Sequence, residues 1–295
     1  MYENNLIKRV SYKFFDLLPD KLFIQLKFFK NFHRFPNLKN PQTFSEKIQW
    51  LKLYDRNPRY TNLVDKYEVK KIVADLIGEQ YIIPTLGVWN NADEIDYDAL
   101  PNQFVLKATH DSGRIIICKD KSKLDKEWAR KEMAKSLERD FYALTREWPY
   151  KNVHRRIIAE LYMENPQDPG RDLSDYKFFC FDGIPHYCQV IRNRSSKETI
   201  DFYDMQWNHM PFVGLNPVVS NGLNPVERPT CLDEMVDVCT KLSKGFAFSR
   251  VDLYVIDDKV YFGEITFYPA SGMGVFTPVE WNIKLGDLIK LPIEE

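Results

Sequence analysis

Apolar residues recur at helical spacing through the first third of the chain, and in short clustered or alternating runs after residue 100. Thr43-Phe-Ser-Glu46 reads as a capping box that opens a helix with Phe44, Ile48, Leu51 and Tyr54 on one face. A second helix is expected over 62–77, where Leu63, Tyr67, Ile72, Val73 and Leu76 repeat at helical spacing and Gly78 supplies a stop. Beyond it, 104–109 and 114–118 are β-type runs flanking His110-Asp-Ser-Gly113, which predicts a hairpin with a polar, flexible tip. A helix over 123–144 capped by Ser122 follows, then a strand over 156–163. The turn-rich stretch 165–172 precedes strands over 176–181 and 186–191, joined at Asp182-Gly183. Pro, Asn and Gly mark 211–229 as a long loop, and a helix capped by Thr230 is expected over 232–244. The last unit, 250–256 and 260–267 around Asp257-Asp258, reads as an antiparallel hairpin. The pattern is α+β, with no internal repeat.

Composition narrows this picture. A 295-residue chain with 44% hydrophobic content can bury a sizeable core, as two modest lobes or one large domain. The formal net charge of -1 gives no electrostatic reason to expect nucleic acid, so any anion site must be local. Five cysteines without a Cys-x-x-Cys pair read as reduced, buried thiols, which implies a cytoplasmic location. Five scattered histidines lack zinc-ligand spacing. No run approaches the ~20 apolar residues of a membrane span, and the start lacks a signal-peptide pattern.

The first segment is nevertheless amphipathic. Leu6, Val10, Phe14, Phe15, Phe23, Leu26, Phe28 and Phe29 alternate with basic residues, and 1–34 carries seven basic and three acidic side chains, an excess of +4. Such a segment could rest peripherally on the anionic inner face of the cytoplasmic membrane, or pack on the protein's own core.

Three places carry chemistry. On the last hairpin, Asp252 sits opposite a strand on which Glu264 and Thr266 share a face, a set of hard oxygen donors suited to Mg²⁺; the alternative is a pair of solvated strand carboxylates. Lys107 ends a strand before a tip containing Ser112 and Gly113, where an ammonium and backbone N–H groups could hold a phosphate; an ordinary hairpin is the alternative. Arg192 and Arg194 leave a strand as candidate anion ligands, or as solvent-facing charges.

The order of these parts resembles the ATP-grasp superfamily, in which two α+β lobes grip ATP. Its terminal pattern looks like Arg250-Val-Asp252, Glu264-Ile-Thr266 and Pro269-Ala-Ser-Gly272, with Thr266 in place of an asparagine and Ala270-Ser271 inside the usual Pro-Gly. The resemblance implies Asp252, Glu264 and Thr266 as magnesium ligands, Arg250 and Lys177 as catalytic cations, and Arg192 and Arg194 as substrate ligands. Asp65-Lys66, with Lys70 a turn on, and Phe104-Val-Leu-Lys107 resemble the phosphate-binding lysines of D-alanine ligases. Ala159-Glu-Leu-Tyr-Met163 resembles the hinge, where Glu160 and the backbone of Leu161 and Met163 would read adenine and Tyr162 cover it. Asp175, or Asp172 in its place, would take the ribose.

A closer resemblance runs through nearly the whole chain. Pro41-Gln-Thr-Phe-Ser-Glu-Lys-Ile-Gln-Trp-Leu-Lys52, Asp65-Lys-Tyr67, Leu100-Pro101 and Asp201-Phe-Tyr-Asp204 are similar to the TupA-like ATP-grasp family of bacterial surface-polysaccharide clusters, named for teichuronopeptide biosynthesis. The family's Asn-His-Gly-Ser-Gly loop is here Thr109-His-Asp-Ser-Gly113, one glycine fewer. The resemblance implies an ADP-forming carboxylate-amine ligase using ATP and Mg²⁺ on a carboxylate-bearing glycan or precursor. A glycan kinase and an inactive nucleotide-binding scaffold are the alternatives. The expected organisation is a helical segment over 1–60, a first ATP-grasp part over 61–103, a small lobe with phosphate hairpin and hinge over 104–163, and a C-terminal lobe with the metal site over 164–295.

Overall fold

A computed structural model describes residues 18–216 and 219–292. The amphipathic positions Leu6, Val10, Phe14 and Phe15 lie outside the described residues. Helix α1 (Asp20–Phe32) buries Phe23, Ile24 and Phe28, the first two beside Leu38 and Leu53 in a satellite cluster. Helix α2 (Phe44–Tyr54) opens with the expected capping box: Thr43 Oγ1 accepts the Glu46 N–H, and the Glu46 carboxylate accepts the Thr43 N–H.

The single helix expected over 62–77 is two, α3 (Arg59–Val64) and α4 (Glu68–Ile77). The break is chemical. Asp65 Oδ1 accepts the N–H groups of Tyr67 (2.8 Å) and Glu68 (3.2 Å), while the Lys66 N–H donates to Thr109 O at 3.1 Å. Backbone groups that would continue a helix are taken by a side chain and by a distant strand end.

Two antiparallel sheets follow. The small one is built from β1 (Thr85–Trp89), β2 (Phe104–Ala108), β3 (Ile115–Cys118) and β4 (Ile157–Leu161) in the order β1-β4-β2-β3. Its two-residue period splits the faces: Phe104, Leu106, Ile116, Cys118, Ile157 and Ala159 enter a core with Ala129 and Met133 of helix α5 (Lys126–Glu138). The opposite face, with Val105, Lys107, Ile115, Ile117 and Glu160, looks into a cleft. Asp125, not Ser122, caps α5, accepting the Trp128 N–H at 2.9 Å, and the helix stops at Glu138 before a separate α6 (Phe141–Thr145).

The large sheet contains β5 (Asp175–Phe181), β6 (Ile184–Arg192), β7 (Thr199–Asp204), β9 (Phe248–Ile256) and β10 (Lys259–Thr266), ordered β10-β9-β5-β6-β7. A two-stranded ribbon pairs β8 (Val213–Gly214) with β11 (Phe276–Thr277). The main core joins this sheet to helix α7 (Leu232–Ser243), to helix α8 (Trp281–Leu288) and to α2, α3 and α4. The N-terminal helices α2 to α4 are thus built into the large lobe's core. Thr230 does not cap α7: its hydroxyl donates to Asp258 at 2.7 Å. Cys118, Cys180, Cys188 and Cys239 are buried and all five cysteines are free thiols. Among the described residues no helix is long and apolar enough to cross a membrane.

Candidate active site between the two sheets

A cleft of about 540 Å³ lies where the open face of the small sheet meets the large sheet. Val105, Ile115 and Ile117 form one wall, the Leu161-Tyr-Met163 segment the back, and Asp175, Arg194 and Tyr254 the opposite wall. Ile115 and Ile117 are each about half exposed, an apolar surface suited to a flat ring. Asp172 also lines the cleft and accepts the Ser195 N–H at 2.6 Å.

At the inner end of the cleft, β2 and β4 place Lys107 and Glu160 on the same face, and Lys70 reaches in from α4. The Glu160 carboxylate is shared: Oε1 pairs with Lys70 Nζ at 2.6 Å and Oε2 with Lys107. Burial pushes the Glu160 carboxyl up, but the two ammonium groups outweigh it and hold it below the usual range. The Glu160 expected at an adenine edge is therefore held here by Lys70 and Lys107. Lys70 also donates to Ile83 O at 2.7 Å.

Lys66 arrives from the helix break. Its ammonium is buried, donates to Asp111 O, and lies in the field of Glu264, Lys107, Asp111 and Glu160; burial lowers its affinity for the proton. The two lysines implied as phosphate ligands, from a helical break and from a hairpin, thus share one electrostatic neighbourhood. The tip between β2 and β3 is tied to the following helix region through Asp111. Asp111 turns inward, accepting Arg139 Nη1 at 2.8 Å and the Ser112 N–H at 2.6 Å, while Ser112, Gly113 and Arg114 are exposed. Gly113 has φ 97° and open space around its Cα, so a ligand can approach the backbone there.

Across the cleft, β5, β9 and β10 carry the second charge cluster. Registers Lys177↔Asp252 and Asp252↔Glu264 put all three residues on one face. Asp252 is buried and held by Arg250, with Nε–Oδ1 and Nη2–Oδ2 both 2.7 Å, and by Lys177. Burial pushes the Asp252 carboxyl up, and these two cations pull it below its ordinary value. Arg250 Nη2 also lies 3.2 Å from Thr266 Oγ1 and 3.5 Å from Glu264 Oε1. One guanidinium therefore joins all three residues expected to hold a metal. Asp175 accepts Arg194 Nε at 2.6 Å, with Lys177 Nζ at 3.4 Å.

The donor set fits magnesium. Asp252, Glu264 and Thr266 offer only hard oxygens on one face; among the described residues no group of three or more His, Cys, Asp or Glu is placed to hold a metal ion by itself. An ion that takes one or two carboxylates and completes its shell with phosphate and water matches that arrangement.

Arg192 departs from expectation. It is on the face of β6 opposite Asp175, where Nη2 donates to the buried Asp201 at 3.0 Å and to Asn224 O at 2.9 Å. β6 ends at Arg192 and Asn193, at φ 56°, turns the chain, so strand alternation does not carry on to Arg194, which alone of the two lines the cleft. Residues that motif reading left out are Ile115, Ile117 and Tyr254 on the cleft walls, and Arg156, whose guanidinium binds Asp65 at 2.8 Å and Glu68 at 2.7 Å over the Tyr67 ring. The exposed isoleucines could have been found from strand alternation, since both faces of β3 are apolar.

An α+β chain with paired lobes, a lysine-lined small sheet and a carboxylate-arginine cluster on the facing sheet has the architecture of ATP-grasp proteins. The TupA-like ATP-grasp family model matches residues 46–290, and the chain belongs to that family. Solved structures similar to it include a D-alanine–D-alanine ligase from Bacillus anthracis complexed with ATP, at 18% identity and TM-score 0.44, over 77% of this chain and 63% of that one. A D-alanine–D-alanine ligase from Helicobacter pylori matches at 16% identity and TM-score 0.40, over 84% and 69%. The ATP-grasp ligase PsnB, complexed with a phosphomimetic variant of its minimal precursor, Mg and ADP, matches at 13% identity and TM-score 0.37, over 75% and 56%. This chain thus spans less than two thirds of the Bacillus anthracis ligase, and none of these resemblances fixes a residue's role in it. No curated protein matches the chain.

Proposed function

We propose that the chain is an ATP-dependent ligase that joins a carboxylate to an amine through an acylphosphate, with magnesium as its metal. The observation that carries this reading is that the cluster of Lys66, Lys70, Lys107 and Glu160 meets the cluster of Lys177, Arg250, Asp252 and Glu264, with Lys66 in the field of Glu264, in a member of the ATP-grasp family.

The base would lie on Ile115 and Ile117 against the backbone of Leu161 and Met163 under Tyr162, the ribose hydroxyls on Asp175, and the triphosphate along Lys107, Lys70 and Lys66. Phosphate oxygens would compete with Glu160 for the two lysines it now holds. Asp252, Glu264 and Thr266 would hold magnesium, which when bound supplies charge neutralisation at the transferring phosphoryl group. A substrate carboxylate oxygen attacks the γ-phosphorus and ADP leaves; the amine then attacks the acyl carbon, inorganic phosphate leaves, and the amine proton passes to solvent. Phosphoryl transfer depends on positioning and charge more than on a protein nucleophile, and Lys177 and Arg250 would supply both.

The carboxylate is read as a uronic acid of a surface polysaccharide or its precursor and the amine as an amino acid or amino sugar. Its support is the association of TupA-like proteins with teichuronopeptide biosynthesis and the Arg194 cation on the cleft wall. The test is mass spectrometry of products after incubation with ATP, Mg²⁺ and candidate uronic acids and amines. ADP with an amide is the expected result. ADP with a stable phosphomonoester would make the protein a kinase, and ATP binding without ADP would make it a nucleotide-binding scaffold.

A further inference from the structure

Immediately after Thr266, Phe267 and Tyr268 lead into Pro269-Ala-Ser-Gly272, where three consecutive residues are left-handed: Ala270 at φ 48°, Ser271 at φ 56° and Gly272 at φ 67°. Two adjacent non-glycine residues in that region are disfavoured and persist only where the surroundings over-determine them. Here the surroundings are one face of α2. Lys52 Nζ donates to Ser271 O at 2.7 Å, to Ser271 Oγ at 2.6 Å and to Thr145 O at 3.1 Å, and Gln49 Nε2 donates to Ser271 O at 3.0 Å. Gly272 is pressed against the same helix, where an added Cβ would stand 2.3 Å from Gln49 Nε2 and 2.6 Å from Ile48 Cγ2.

Lys52 is only 1% exposed. An ammonium in such a place is poor construction if stability is all it serves, because a well-packed apolar side chain generally does as well. Its charged neighbours come from every side. Glu147 precedes the 148–152 turn and feels the Lys52 ammonium, the Ser271 hydroxyl, Lys27 of α1 and Arg250. Burial draws Lys52 down to about 7 and pushes the Glu147 carboxyl up, each opposed by the other's charge. The chain Lys52–Ser271–Glu147 therefore runs electrostatically into Arg250, whose guanidinium also touches Thr266, three residues before the strained turn.

We propose that Lys52 is a positioning residue of the active site, clamping the left-handed turn after β10 so that Thr266 and Arg250 stay in place for phosphoryl transfer. The inference rests on the ligase reading for its rate measurement, and on the fold alone for a second one. The variant of choice is Lys52→Met with Glu147→Gln, which removes both buried charges together, alongside Lys52→Met alone. In the double variant, melting should stay near that of the unaltered protein and ATP affinity within about twofold, since the nucleotide lysines belong to other elements. The rate constant kcat for ADP formation should fall about 100-fold, the scale expected when catalytic groups are misplaced by an ångström, with KM little changed. A folded double variant with kcat within threefold of the original, or a loss confined to KM or ATP affinity, overturns the proposal. Hydrogen exchange of the amides over 268–273 does not depend on the reaction. Loss of their protection, with β9 and β10 still protected, supports the clamp even if no substrate yields ADP; unchanged protection in the double variant refutes it.

Discussion

Glu46 shows how much one side chain contributes before any catalysis is considered. Its carboxylate takes Arg34 and the N–H groups of Asn37, Gln42 and Thr43, at 3.1, 3.2 and 3.2 Å for the three amides. Burial alone would raise its pKa, but Arg34 and the amides bring it down to about 2. A depressed carboxyl adds stability that is present above its ordinary value and lost as pH falls from about 4.5 to about 2. Urea unfolding at stepped pH should therefore find Glu46→Gln less stable by about 2 kcal/mol at pH 7, with the gap to the unaltered protein closing toward pH 2. A gap independent of pH would mean that shape, not charge, is what Glu46 supplies. The carboxylates proposed to hold magnesium, Asp252 and Glu264, differ in the same terms. Glu264 is half exposed, so Glu264→Gln should stop ADP formation while shifting stability by less than about 0.5 kcal/mol. Asp252 is buried between Arg250 and Lys177, and Asp252→Asn should stop ADP formation and also destabilise by about 3–5 kcal/mol, because two cations lose their counter-charge. Thermal melting of the two variants separates these outcomes; equal melting temperatures would show that Asp252 is better solvated than its contacts indicate.

At the scale of elements, strands were more legible than helix boundaries. The final hairpin is readable because apolar residues alternate through 250–256 and on either side of Gly263 in 260–267, and the observed register sets Glu264 directly opposite Asp252 across a bulge at Gly263. The break that delivers Lys66 was not readable: its causes are a hydrogen bond from Lys66 to Thr109, forty-odd positions away, and a carboxylate that looks like any polar helical residue. Thr230 and Ser122 have good capping chemistry, but Asp258 claims the first hydroxyl and Asp120 the second, so competition within the fold decides. Arg192 and Arg194, two positions apart, look equivalent in sequence, yet β6 ends at Arg192 and the left-handed Asn193 turns the chain before Arg194, which lines the cleft. Pairing across β2 and β4 also sharpens the expectation for nucleotide binding. Lys107→Ala removes one phosphate cation but releases Glu160 from one of its two partners, so ATP affinity should fall by about 1.5–3 kcal/mol, the range for a charged hydrogen bond. Calorimetric titration with ATP measures this directly, and an unchanged affinity would take Lys107 out of the site.

For the molecule as a whole, the open question in the sequence was whether the basic, aromatic start faces a membrane or the protein itself. The described part of that segment is tied inward. Phe23, Ile24 and Phe28 are buried, Lys27 Nζ donates to Leu144 O at 2.9 Å, Arg34 pairs with Glu46, and Asp20 joins Arg56 at 2.7 Å and the Tyr142 hydroxyl at 2.8 Å. α1 thus bridges α2 to the α6 region, beside the buried Lys52 and Glu147. Lys27 and Arg34 are spent on these contacts, which weakens the electrostatic attraction that about 1 kcal/mol per free basic residue would supply at an anionic surface. Leu22, Leu26, Phe29 and Phe35 do remain exposed, with Phe29 and Phe35 stacked at 4.9 Å, so a modest apolar surface is available beside Lys21 and Lys30. The inward ties outweigh it: flotation with anionic vesicles at low and high salt should show no salt-sensitive association, and Phe28→Ala should lower stability by about 3–5 kcal/mol, as for other fully buried aromatic truncations. Vesicle binding that disappears at high salt, together with a Phe28→Ala variant as stable as the original, would turn the assignment round and make the first helix a membrane-facing element.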